Sequence, residues 1–149
     1  MRPRISDIIT VAGRLTNVPP SEIVSDRRFL YLCAIRYPVY LTAREWGFSL
    51  SEIGRVVGRD HTSVYHGLQT GRRFEGYVNH FDEFCAEVAR WSDELPPFVS
   101  ETDWQPDRKF HVFLTDGAKR ERSKQAKILR AARSEKIARR LGGEMLEAA

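Results

Sequence analysis

The stretch SLSEIGRVVGRDHTSV, beginning at Ser49, constrains this chain more than any other part of it. Ser49 followed by Glu52 is a capping box, in which each side chain satisfies the other residue's backbone N–H. Leu50, Ile53, Val56 and Val57 then recur at helical spacing over about two turns. Gly58 supplies a stop that tolerates a left-handed backbone. Asp60 or Thr62 caps the next helix, which carries Val64, Leu68 and Phe74 inward. A short helix, a glycine turn and a second helix make a helix-turn-helix.

The rest of the pattern is helical too, so the fold class is all-α. Ile5, Ile8, Ile9, Ala12 and Leu15 predict a first helix over 4–16, stopped by Val18-Pro19-Pro20. A turn around Glu22-Ile23-Val24 and a polar connection, Ser25-Asp26-Arg27-Arg28, lead into a longer helix over 29–46. Pro38 lies inside it and predicts a kink or a break, because proline lacks the N–H and its ring crowds the preceding turn. Tyr77, Phe81, Phe84, Val88, Trp91 and Leu95 form a heptad-like stripe on a long amphipathic helix with an acidic opposite face. Lys109 to Leu114 reads as a strand, and residues from Ala118 onward as a basic helical extension. The predicted organisation is a helix-turn-helix domain over 1–76, an acidic helix over 77–95 that packs on it or dimerises, a connector over 96–117 and an extension over 118–149.

Charge is segregated along the chain. The formal net charge of +4 conceals a basic block over 1–73, an acidic block over 74–107 whose one basic residue is Arg90, and a second basic block over 108–149. Residues 119–140 alone hold ten basic and two acidic side chains. Two basic blocks around an acidic one predict two anion-facing surfaces or an internal charge partnership.

Several classes are excluded. No apolar run is long enough for a membrane span, and the charged N-terminus is no secretory signal. Cys33 and Cys85 lack metal-site spacing and read as buried, reduced thiols, so neither a metal nor a cofactor is expected. No phosphate loop, dinucleotide fingerprint, zinc-protease motif or nucleophile elbow is present. Asp60, His61 and Ser63 are neighbours in sequence, whereas catalytic triads are assembled from distant segments, so no enzyme and no catalytic residue is expected.

The window SLSEIGRVVGRDHTSVYHG resembles the signature of the C-terminal DNA-binding domain of the chromosomal replication initiator DnaA, which runs close to SLPEIG…GGRDHTTVLHA. Upstream, Ser25-Asp26-Arg27-Arg28 before a helix ending in Arg44-Glu45 matches the basic loop and long helix of that family. The resemblance covers about 5–73, half of the chain. It departs from the family in five places: the turn before Arg59 is one residue shorter, as is the link after Glu45. Ser51 stands for a frequent proline, and Leu30 and Ala34 replace two arginines.

Independently of any family, the tip of a recognition helix presents side chains to base edges in the major groove. Asp accepts from cytosine N4, Thr or His meets the thymine methyl, and Arg pairs with guanine O6/N7. An acid at that tip repels phosphate, so Asp60 argues for base reading. Arg59, Asp60, His61 and Thr62 are therefore candidates for base contacts. The resemblance adds Arg28, matching an arginine that enters the minor groove, where a narrow A·T-rich groove attracts cations. It also matches Arg36 and Arg44 to positions that approach phosphates, and Arg27, Ser49, Ser51, Ser63 and His66 are further candidates for phosphate contact. Lys119, Arg120, Lys124, Lys127 and Arg130 are candidates for non-specific phosphate contact, with docking on the acidic helix as the other use of the tail.

The expected function is sequence-specific binding of double-stranded DNA at initiator-box-like sites, without an ATPase module, regulating replication initiation, transcription or both. Implied partners are duplex DNA, a second copy of the chain and the full-length initiator, in a bacterial or phage setting at the cytoplasmic nucleoid. The competing expectation is a protein-interaction module with a degenerate helix-turn-helix, acting through the amphipathic helix and the basic tail.

Overall fold

In the computed structural model, residues 2–94 and 113–148 are described, the last six of them by backbone alone. The chain divides into two units, residues 1–115 and 116–149.

Among its described residues the first unit has six α-helices: α1 Ile5–Thr16, α2 Pro20–Ile23, α3 Leu30–Glu45, α4 Leu50–Val57, α5 His61–Thr70 and α6 Phe81–Glu94. A 3₁₀ segment, Gly71–Tyr77, links α5 to α6. Among the described residues the extended pairing is a single antiparallel bridge between Val78 and Leu114. The strand expected over 109–114 begins outside the described residues. Its last two members are tied to the helical unit: Phe113 N donates to the Leu15 carbonyl (3.1 Å) and Asn79 N to the Phe113 carbonyl (2.6 Å).

α3 is the central element, packing against α1, α5, α6 and the 3₁₀ segment. Its Leu32, Ile35 and Val39 are sealed from solvent together with Ile8, Val11 and Leu15 of α1 and Phe84 and Val88 of α6. Each such side chain contributes roughly 1.5–3 kcal/mol through removal from water. That burial explains why α3 continues through Pro38 without the break that is one of the two expected outcomes. The proline costs one hydrogen bond and some crowding, about 3 kcal/mol, and its buried neighbours Ile35, Val39 and Tyr40 outweigh it.

α6 starts four residues later than its stripe suggests. Residues before it wind as a 3₁₀ segment, Val78 is extended, and His80 has φ +51°, a left-handed conformation that no right-handed helix accommodates. Of the stripe, Phe81, Phe84 and Val88 are buried, Trp91 is half-buried and Leu95 lies outside the described residues. Tyr37 of α3 stacks on Phe81 at 5.7 Å, and Phe84 meets Phe113 at 5.3 Å. Phe81, Phe84 and Val88 of the stripe are thus core of the first unit, where α6 packs on α1 and α3.

Both cysteines are free and half-buried, more open than expected. Burial pushes the Cys85 thiol up to about 12, which favours its protonated form. The second unit is one helix, α7, Asp116–Ala148. Among the described residues no helix is long and apolar enough to cross a membrane.

Candidate nucleic-acid interface

The helix-turn-helix forms through the caps that the sequence encodes. Ser49 Oγ accepts from Glu52 N (3.1 Å) while the Glu52 carboxylate accepts from Ser49 N (3.1 Å). α4 ends at Gly58, whose φ of +76° lies in the left-handed region. The chain then turns so tightly that a β-carbon on Gly54 would collide with the Arg59 carbonyl oxygen. Asp60 opens α5, its carboxylate accepting from Ser63 N at 2.7 Å. That hydrogen bond is the main reason its carboxyl is held below the usual carboxylate range.

α5 is anchored on one side only. Val64 is sealed from solvent and Gly67 lies against α3, where an added β-carbon would strike the Tyr40 ring. His61, Thr62, Tyr65, His66 and Gln69 are exposed. At 100° per residue these five fall on a single outward face.

The loop before α3 is fixed to this frame by two arginines. Arg36 is 3% exposed. Its Nε donates to the Ile23 carbonyl (2.8 Å), Nη1 to the Arg27 carbonyl (2.7 Å) and Nη2 to the Ser25 carbonyl (2.8 Å). From the turn before α5, Arg59 Nη2 reaches the same Arg27 carbonyl at 2.7 Å and the Ser25 carbonyl at 3.5 Å. Burial, and then the neighbouring Arg59 charge, pull the Arg36 guanidinium down to about 10. Two cations therefore converge on one short piece of backbone. The carbonyl dipoles they meet offset part of the mutual repulsion, and the loop's outer side chains, Arg27 and Arg28, are left exposed.

A cleft of about 460 Å³ opens between α3 and α5. It gathers seven of the sequence candidates, Arg28, Arg36, Arg59, Asp60, Thr62, Ser63 and His66, over a floor that includes Tyr40, Gly67 and Phe74. His61 stands on the outer face beside it. Arg44, Ser49 and Ser51 do not line the cleft. Arg44 donates to the Phe48 carbonyl (2.9 Å) at the end of α3, Ser49 is held in its capping box, and Ser51 is exposed on the first turn of α4.

Arg36, expected on phosphate, and Arg59, expected at a base edge, both donate to loop carbonyls. The residues that sequence reasoning passes over are Tyr65 and Gln69. Their spacing from His61 and Thr62 is the available signal.

On α7, Lys119, Arg120, Lys124, Lys127 and Arg130 are all exposed. Lys119 Nζ lies 3.9 Å from Asp116. Among the described residues no three His, Cys, Asp or Glu side chains gather at a metal-binding distance.

Comparison with known proteins agrees with this geometry. Residues 5–70 match the family described as bacterial DnaA protein helix-turn-helix. Chromosomal replication initiator protein DnaA of Xanthobacter autotrophicus is 35% identical over 89 residues, 58% of this chain and 17% of that protein. The DnaA proteins of two Rhodopseudomonas palustris strains, BisA53 and HaA2, are 36% identical over 96 residues and 37% over 89. Those alignments span 63% and 58% of this chain but 20% and 18% of the relatives. The similarity thus covers about a fifth of each relative's length. No solved structure matches the chain significantly.

Proposed function

We propose that this protein binds duplex DNA sequence-specifically at initiator-box-like sites and so regulates replication initiation, transcription or both. The observation that carries the reading is the double brace. Arg36 and Arg59 tie the loop bearing Arg28 to the turn that opens α5, so one rigid frame presents two probes. On this frame Arg28 enters the minor groove, where a narrow A·T segment concentrates negative potential. The tip of α5 enters the adjacent major groove.

Each tip residue has a defined task. Asp60 caps α5 with part of its accepting capacity and offers the remaining lone pairs to a cytosine amino group. His61 and Thr62 meet base edges and the thymine methyl. Arg27, Ser63 and His66 contact phosphates, with Arg44, Ser49 and Ser51 approaching the backbone farther along. Arg36 and Arg59 act as positioning residues. The exposed cations of α7 add affinity without sequence preference.

The chain acts by binding, without catalysis of its own. Occupancy of initiator boxes places the chain in competition with a full-length initiator at a bacterial nucleoid. Fluorescence anisotropy at moderate salt tests the reading. A box-containing duplex should bind on the order of 10³-fold tighter than a scrambled one, and equal affinity for the two would refute sequence-specific binding.

A further inference from the structure

We propose that Tyr65 and Gln69 form a second base-reading pair, which extends the recognised sequence beyond the bases addressed by the tip of α5. This rests on the DNA-binding reading of the preceding subsection.

Tyr65 is 51% exposed, a large aromatic on the same outward face as His61 and Thr62. The core does not require it: Val64 and Gly67 supply the packing side of the helix. Gln69 Nε2 donates to Tyr65 Oη at 2.7 Å, linking the two side chains across one turn. Such a link fixes both rotamers in advance, which lowers the entropy cost when they meet a partner.

The chemistry of the pair suits bases better than phosphates. Because Tyr65 Oη accepts from Gln69, its own O–H stays available to donate. Gln69 keeps a second N–H and its carbonyl, a donor and an acceptor side by side, which is the edge that matches adenine N7 and N6. The tyrosine ring supplies an apolar surface for a thymine methyl. Neither side chain is cationic, whereas positions that track the backbone attract Lys or Arg. At 1.5 Å per residue, Tyr65 and Gln69 stand about 6 and 12 Å along α5 from His61, on the order of two to four base-pair steps. In the initiator motif GGRDHTTVLHA, leucine occupies the place of Tyr65, so the pair would give this chain a site preference of its own.

The test is selection of bound sites from a random duplex pool, with the full chain and its variants Tyr65→Leu, Tyr65→Phe and Gln69→Ala. Thermal unfolding first verifies that these exposed substitutions leave the fold intact. The wild-type consensus should contain one or two base pairs at which Tyr65→Leu and Gln69→Ala each reduce discrimination about 10-fold. The positions whose preference disappears in Asp60→Ala should be unaffected. Tyr65→Phe should retain a preference for thymine and lose the part that depends on the hydroxyl. An unchanged consensus in Tyr65→Leu and Gln69→Ala, even with uniformly weaker binding, would overturn the inference and leave the general reading standing. A wild-type pool that yields no consensus would overturn both.

Discussion

Arg36 is buried with its guanidinium on three carbonyls, while on α7 every residue over 130–142 is exposed. Both regions are basic, and their cations act in different ways. In the helix-turn-helix unit, Arg36, Arg44 and Arg59 donate to main-chain carbonyls and so fix where other side chains point. In α7, Ile128, Ile137 and Leu141 are themselves more than half exposed, and the Arg139–Glu135 ion pair joins neighbours on the same helix. A cation held by tertiary acceptors defines geometry, which sequence reading requires. A solvated cation adds potential, which any polyanion can use.

The largest expected effect breaks the first region's geometry. Arg36→Met removes three hydrogen bonds at once, and Arg59 reaches only the Arg27 and Ser25 carbonyls among the three acceptors, so the loss should cost about 2 kcal/mol of stability in urea unfolding. Arg28→Ala, a few residues away on the exposed loop, should leave the unfolding midpoint unchanged. If both variants unfold alike, the brace is not what holds the loop.

Next come the two probes. Arg28→Ala and Asp60→Ala should each remove about 1–3 kcal/mol of preference for box over scrambled duplex, roughly 5- to 150-fold by anisotropy. Asp60→Ala should also lower the urea unfolding midpoint through loss of its cap.

The second region should respond in the opposite manner. Replacing Lys119, Arg120, Lys124, Lys127 and Arg130 by Gln should weaken box and scrambled duplex equally. It should also flatten the dependence of log affinity on log salt, by about 0.9 for each phosphate that is no longer neutralised. A change in the ratio of the two affinities would mean that α7 takes part in reading.

The smallest effect is a titration. The Asp60 carboxyl is held below its ordinary value, so its capping contribution is complete above the ordinary carboxylate pKa and is lost as pH falls through the lowered one. The protection of the Ser63 amide, relative to the free-amide exchange rate at each pH, should fall over that acid range in the wild type and stay constant in Asp60→Asn.

Much of this is legible in the sequence because it is local. The Ser49–Glu52 box, the Gly58 stop and the Asp60 cap each depend on residues a few places apart, and the structure has all three. The tertiary part is hidden. Spacing places Arg36 and Arg59 on helices and turns, but nothing in it shows that Ser25 and Arg27 present carbonyls toward both. Continuity of α3 through Pro38 depends on contacts with other helices, and the late start of α6 depends on a left-handed His80 and on Leu114, far along the chain. Tyr65 and Gln69 are in view at helical spacing, yet their mutual hydrogen bond appears only in three dimensions.

The most direct test is a nuclear magnetic resonance titration of the ¹⁵N-labelled chain with a box-containing duplex. The braced-frame account predicts that amides over 25–29 and 59–69 shift together, along one binding isotherm, and that a scrambled duplex moves them far less. Shifts confined to 119–140, or equal for the two duplexes, would contradict it.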